Sequence, residues 1–236
     1  MKQMTVIARY NEDISWYKQL NSDVIIYNKG NDWNYDFPCI NLENFGREGE
    51  TFVRFIIDFY DQLSNYDNVN FLQGNPFDHC PQVVEIINKS YDKTLIYLSN
   101  SIHREIYNND RSIFGFHLST INTLLGLDHL NKNFTATLQE YDEKTENIIN
   151  LAHDNVCLYR NAALCTILGL DFLNQDIDWG VGSQYSIPVT FILNKDLTWW
   201  KNLHLLFVYL CKENNEYEWT YILERIWPLV WKHQTL

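Results

Sequence analysis

The segment Val69 to His79 concentrates the side chains best suited to chemistry. An apolar run ends in Gly74 and Pro76, and Gln73, Asn75, Asp78 and His79 are set around that break. This is the pattern of a buried parallel strand that delivers polar groups to the carboxyl edge of an open sheet. In α/β folds ligands bind at that edge. Asp78 is a carboxylate donor, Gln73 and Asn75 offer neutral oxygens, and His79 adds an imidazole, a set suited to a divalent cation or to hydrolysis. The competing role for Asp78 is to cap a helix starting near Pro81; for His79 it is a packed or surface imidazole. A second cluster follows the apolar run Met4 to Ala8: Arg9, Tyr10, Asn11, Glu12 and Asp13. Two strands that both end in polar side chains predict one shared pocket.

Further candidates carry two readings each. Asn11, Glu12 and Asp13 suit a ligand or the first turn of a helix, and Arg9 suits a phosphate or a buried carboxylate. Asn28 and Lys29 close a second strand, where Lys29 meets phosphate or solvent. Gly46-Arg47-Glu48-Gly49 opens a helix whose N–H groups favour an anion, with Arg47 adding a bidentate contact; the alternative is a turn with an Arg47–Glu48 surface pair. Glu224 and Arg225 lie in an apolar helix, either as a structural pair or with Glu224 as a base. Asp176-Ile177-Asp178 is a metal motif or a solvated loop. Trp199 and Trp200 suit sugar stacking or the core. The cysteines form no Cys/His arrangement suited to catalysis.

The elements that must position these groups alternate. Thr5–Ala8, Asp23–Tyr27, Cys39–Leu42, Val69–Leu72 and Lys93–Leu98 read as strands. Glu12–Leu20, Gly46 to about Leu63 and Pro81 to about Tyr91 read as helices, the first with Asn11 as its cap. This order predicts a mostly parallel sheet with helices on its faces. Residues 102–178 read as a helical insert, with helical patterns at Leu118–Leu130 and Thr145–Leu173. Residues 179–236 return to a strand-rich run, Gln184–Leu193, and to helices at Leu197–Leu210 and Tyr217–Trp231, with Pro228 ending or kinking the last.

Composition narrows the partners. The chain has 236 residues, net charge −12 and 46% hydrophobic residues, enough for one large packed domain. Its acidity disfavours nucleic acid but leaves room for one nucleotide neutralised locally. Five widely spaced cysteines without a Cys-x-x-Cys fit a reducing compartment. No signal peptide or integral membrane segment is visible, so a soluble, cytoplasmic protein is expected.

Four clusters in order carry a resemblance: Ala8-Arg9-Tyr10-Asn11-Glu12-Asp13, Gly46-Arg47-Glu48-Gly49, Phe71 to His79, and Leu223-Glu224-Arg225-Ile226-Trp227-Pro228. Tyr27-Asn28-Lys29-Gly30 fits as well. They resemble a family of small proteins of fungi, bacteria and large viruses that has no assigned function and is similar to nucleotide-sugar glycosyltransferases of the GT-A fold. The resemblance implies a single GT-A-like, Rossmann-like α/β domain over 1–236, with residues 1–100 as its nucleotide-binding half. It implies a UDP- or GDP-sugar donor, Mn²⁺ or Mg²⁺, and a glycan or glycoprotein acceptor. Arg9, Tyr10, Asn11, Glu12, Asp13, Asn28, Lys29, Arg47, Gln73 and Asn75 would face the nucleotide. Asp78 and His79 would face the metal, and Glu224 would be the base. The family's Gly-Ala-x-Phe strand and following Ser-Arg pair are replaced here by Gly182-Ser183-Gln184-Tyr185 and Pro188-Val189. A non-catalytic binding module and a hydrolase using Asp78 and His79 are the alternatives.

Overall fold

The computed structural model describes residues 1–31, 37–89, 95–99, 102–106, 165, 168, 170, 176–180, 182–213 and 218–231. The chain divides into two compact units, Met1–Arg104 with Asp178–Leu236, and Glu105–Ile177. The expected helical patterns at Leu118–Leu130 and Thr145–Leu173 lie outside the described residues, apart from Cys165, Leu168 and Leu170. No disulfide joins the described cysteines. No helix among the described residues is long and apolar enough to cross a membrane.

The first unit is an α/β fold around a six-stranded, mostly parallel sheet. Its strands are β1 (Gln3–Arg9), β2 (Asp23–Asn28), β3 (Cys39–Asn41), β4 (Asn68–Gln73), β5 (Ile96–Tyr97) and β8 (Tyr185–Pro188). They run in the order β3-β2-β1-β4-β8-β5. β1 is parallel to β2 and β4, and β2 to β3, while β8 runs antiparallel to both its neighbours. Two further strands, β6 (Ile102–Ile106) and β7 (Asp176–Gly180), pair separately. Asp176 and Asp178 therefore stand in a strand, where the sequence suggested a loop.

Alternation along the strands gives the sheet two apolar faces. Ile7, Ile26 and Leu72 meet Ile14, Trp16, Val83 and Ile87 on one side, beneath α2 (Val83–Asn88). On the other side Phe71 contacts Phe52, Phe55 and Trp231. That side carries α1 (Arg47–Phe59), α4 (Leu197–Phe207) and α5 (Glu218–Trp231). Such aromatic contacts add about 0.5–1.5 kcal/mol each beyond area burial, so the Trp-rich C-terminal helices are core and Trp200 is fully buried.

Several expected elements differ. The helix over Glu12–Leu20 is only a 3-10 turn, Ser15–Gln19. Ile14 and Trp16 are both buried, a two-residue spacing that no α-helix places on one face. Asn11 does not cap it; its Oδ1 accepts from Asn31 N at 2.9 Å. α2 starts at Val83 behind Gln82, with no side-chain cap, so Asp78 is not its cap. The run Gln184–Leu193 turns at Pro188 into a short helix, α3 (Val189–Leu193), local strand propensity yielding to tertiary packing. α4 passes into a π-helical stretch at Val208–Glu213. α5 continues through Pro228 to Trp231, so Pro228 does not end it.

Close backbone contact joins the loops after β1 and β2. A Cβ on Gly30 would overlap the Tyr10 carbonyl and crowd Asn11 Oδ1. A backbone atom cannot swing aside, so Gly30→Ala is expected to cost about 1–3 kcal/mol or more. For a chain of this size that lowers Tm by about 2–4 °C per kcal/mol. Thermal unfolding by circular dichroism tests this, and an unchanged Tm would show that the two loops separate readily.

Candidate functional site

The carboxyl ends of β1, β2 and β4 lie side by side because these strands are parallel neighbours. Their loops and the start of α1 enclose a cleft of about 410 Å³. β1 and its loop contribute Arg9, Tyr10 and Glu12, and β2 leads to Lys29. β4 and the turn after it contribute Gln73, Asn75 and Asp78, and the α1 start contributes Arg47 and Glu48. Eight sequence candidates thus share one cleft. Asn11, Asp13, Asn28, His79 and Glu224 are not among its lining residues.

Two of the cations are structural as well as cleft-lining. Arg9 is buried, and its guanidinium donates to the carbonyls of Glu12 and Tyr10, each at 3.1 Å, and to Asn28 Oδ1. It ties the β1 loop to the end of β2. Lys29 Nζ lies 2.6 Å from Glu50 Oε2 and donates to the carbonyls of Phe45 and Arg47 at 2.7 and 2.6 Å. Glu50 Oε1 is 3.0 Å from His204 Nε2. Burial pushes the Lys29 ammonium below its ordinary value, opposed by Glu50. Burial also raises Glu50, but His204 and Lys29 outweigh it and hold the carboxyl below its ordinary value. This strut fixes the turn into α1, where Gly46 (φ 63°) and Arg47 (φ 51°) are both left-handed. A non-glycine residue held there stores about 1–3 kcal/mol, a cost associated with functional sites.

The acidic groups differ in setting. Glu12 Oε2 accepts from Tyr10 N at 2.7 Å, and a Cβ on Gly74 would strike that carboxylate. Asp78 is exposed and accepts from Asn75 Nδ2 at 2.9 Å. His79 lays its ring against Gly182, where φ is +90° and a Cβ would meet the ring. Gly182 N in turn donates to Glu224 Oε1 at 2.7 Å. Glu224 has its carboxyl raised by burial first, then by Glu48. Among the described residues no group of three or more His, Cys, Asp and Glu is placed to hold a metal ion.

Glu48 and Asn44, which also line the cleft, were not singled out from sequence. Glu48 reads there as the surface partner of Arg47; Arg47 Nε does lie 3.8 Å from its Oε2, but only 13% of the Glu48 side chain is exposed. The available signal was Gly49, whose missing side chain lets α1 approach Phe207 and Trp227.

A family model described as "Protein of unknown function (DUF3431)" matches residues 5–236. The chain belongs to this family. No curated protein and no solved structure matches it.

Proposed function

We propose that the cleft binds a nucleotide-sugar donor, a UDP- or GDP-sugar, and that the protein transfers the sugar to a hydroxyl of a glycan or glycoprotein. The observation that carries this reading is the meeting of the motif clusters after β1, β2 and β4 and at the α1 start in one cleft at the carboxyl edge of the sheet. The similarity of the family that those clusters resemble to nucleotide-sugar glycosyltransferases, a likeness at the level of the fold, supports it.

In this reading Tyr10 and the β1 loop face the nucleoside, and Arg47, held by the Lys29 strut, faces the diphosphate. The donor set fits a Mg²⁺ or Mn²⁺ ion that keeps several waters and is bound chiefly by substrate phosphates, since one exposed carboxylate and two amide side chains do not make a protein cage. Asp78, with Gln73 and Asn75, would hold it; bound, it would neutralise the leaving diphosphate. Glu224, which does not itself line the cleft, would take the acceptor's proton through one intervening water as the acceptor oxygen bonds to the anomeric carbon. The carbon–phosphate-oxygen bond breaks with its electron pair leaving on the nucleoside diphosphate.

A panel of UDP-, GDP-, CMP- and dTDP-sugars in a thermal-shift assay, each with and without Mn²⁺, tests this. Expected are no shift from metal alone and a metal-dependent rise in Tm for one nucleotide class. Asp78→Ala is expected to remove the metal-dependent part while leaving the unliganded protein within about 0.5 kcal/mol of wild type, as for other surface positions. A flat panel on folded protein overturns the reading. Shifts that need no metal, without turnover, would select a non-catalytic binding module. That second reading is favoured by the single exposed carboxylate on the β4 turn.

A further inference from the structure

Backbone holds the Glu12 side chain in the cleft from two sides. Its Oε2 accepts from Tyr10 N at 2.7 Å. The same oxygen rests over Gly74, where an added Cβ would overlap it and the carboxyl carbon. Gly74 is itself fixed, because its carbonyl accepts from the Trp16 indole N–H at 3.0 Å. Trp16 is buried, edge-on to Phe77. The second carboxylate oxygen, Oε1, has no hydrogen-bond partner among the described residues and is not sealed from solvent. The adjacent Arg9 guanidinium donates to the carbonyls of Glu12 and Tyr10, not to this carboxylate. Glu12 therefore presents a preorganised acceptor to the cleft that it lines.

Its place along the cleft is equally defined. On one side is Tyr10, just beyond β1, with 51% of its surface exposed. On the other side Gly74 leads into Asn75 and Asp78, which bond to each other at 2.9 Å. An aromatic ring, a fixed acceptor and the turn after β4 thus stand in series. A nucleoside diphosphate carries its base, ribose and diphosphate in the same series. An ionised carboxylate only accepts hydrogen bonds and repels a phosphate, so the part that meets Glu12 is a neutral donor.

We infer that Glu12 reads the ribose of the bound nucleotide, its carboxylate accepting from the 2′- and 3′-hydroxyls, so that the cleft selects ribonucleotides over 2′-deoxyribonucleotides. Hydrogen bonds to a carboxylate are shorter and stronger than neutral ones. A site built around a substrate hydroxyl rejects the analogue that lacks it, because the acceptor is then left without a partner. With the nucleotide-donor reading as its basis, this role of Glu12 removes dTDP-sugars from the candidate donors and keeps UDP- and GDP-sugars.

The test is isothermal titration of the full chain, with Mn²⁺ present, by UDP, GDP and their 2′-deoxy counterparts. These ligands carry no transferred sugar, so its hydroxyls do not contribute. The wild-type chain is expected to bind the ribo form of the accepted base about 10–100-fold more tightly than the deoxy form, the range of a hydrogen bond to a charged group. Glu12→Gln keeps one oxygen for Tyr10 N and removes the charge. It is expected to weaken ribonucleotide binding and to shrink the ribo-to-deoxy ratio by about tenfold. Gly74→Ala leaves Glu12 in the chain but fills the seat of its carboxylate, so the ratio should fall likewise; it decides the point if Glu12→Gln does not fold. Equal wild-type affinity for the ribo and deoxy forms overturns the inference while the nucleotide reading stands. A ratio that survives both substitutions does the same. An altered preference between UDP and GDP, with the ribo-to-deoxy ratio intact, places Glu12 at the base and also overturns it. Failure of both nucleotide pairs to bind removes the nucleotide reading and this role with it.

Discussion

Glu50→Ala is expected to lower Tm by about 6–20 °C. Breaking a buried ion pair from one side costs about 3–5 kcal/mol, and each kcal/mol moves the midpoint of a chain this size by about 2–4 °C. The Glu50 side chain is 3% exposed and receives both Lys29 and His204, so its removal leaves an ammonium without a counter-ion. A Lys29→Met, Glu50→Leu double variant should regain part of the loss, since apolar replacement of both partners is often neutral. It should not regain ligand binding, because the carbonyls of Phe45 and Arg47 lose the cation that clamps the α1 turn. The pH dependence has a defined sign. Glu50 sits below its ordinary carboxyl value when folded, so its contribution is present above the unfolded value and is lost as pH falls through the folded one. Calorimetry of the three proteins across that range checks both points. A Glu50→Ala shift under about 2 °C, less than one kcal/mol, would show that the pair does not hold the turn.

Glu224→Gln is expected to reduce sugar transfer by about 10²–10⁴-fold, the usual loss for a general base, without loss of stability. Gln retains the bond from Gly182 N and removes the repulsion with Glu48. Glu224→Ala is expected to lose activity equally and stability as well, by about 1–3 kcal/mol for an orphaned buried donor. Transfer rates and unfolding curves on the same preparations separate these effects. Retained transfer in Glu224→Gln would remove Glu224 from the chemistry.

The strands that build the cleft were legible because β1, β2 and β4 are short apolar runs ending in Gly, Asn or charge. Parallel strands buried on both faces leave that mark. The polar groups just beyond them could be assigned to one edge for the same reason. Less legible was what each group does there. Arg9 and Lys29 are the cations a phosphate site would use, yet long-range partners such as Asn28, Glu50 and the carbonyl of Arg47 engage them. Glu48 was hidden because adjacency to Arg47 suggests a surface pair, while the neighbouring Gly49 packs on Phe207 and Trp227 of α4 and α5, more than 140 residues away. The turn at Ser15–Gln19 was misread because Tyr17 and Leu20 mimic helical spacing, and only the inward Trp16 shows otherwise. Its indole N–H reaches the Gly74 carbonyl at 3.0 Å.

The helix that carries Glu224 also carries its own optical label. Trp227 and Trp231 lie face to face, with centroids 4.8 Å apart and planes 5° from parallel, and Trp200 and Phe71 extend the stack. Indoles in that geometry share their excitations and give a paired circular-dichroism band that isolated chromophores lack. The band depends on the seating of α5 against α4 and the sheet, so its amplitude follows that docking directly. Circular dichroism of the unmodified chain can thus follow loosening of this helix without an added probe.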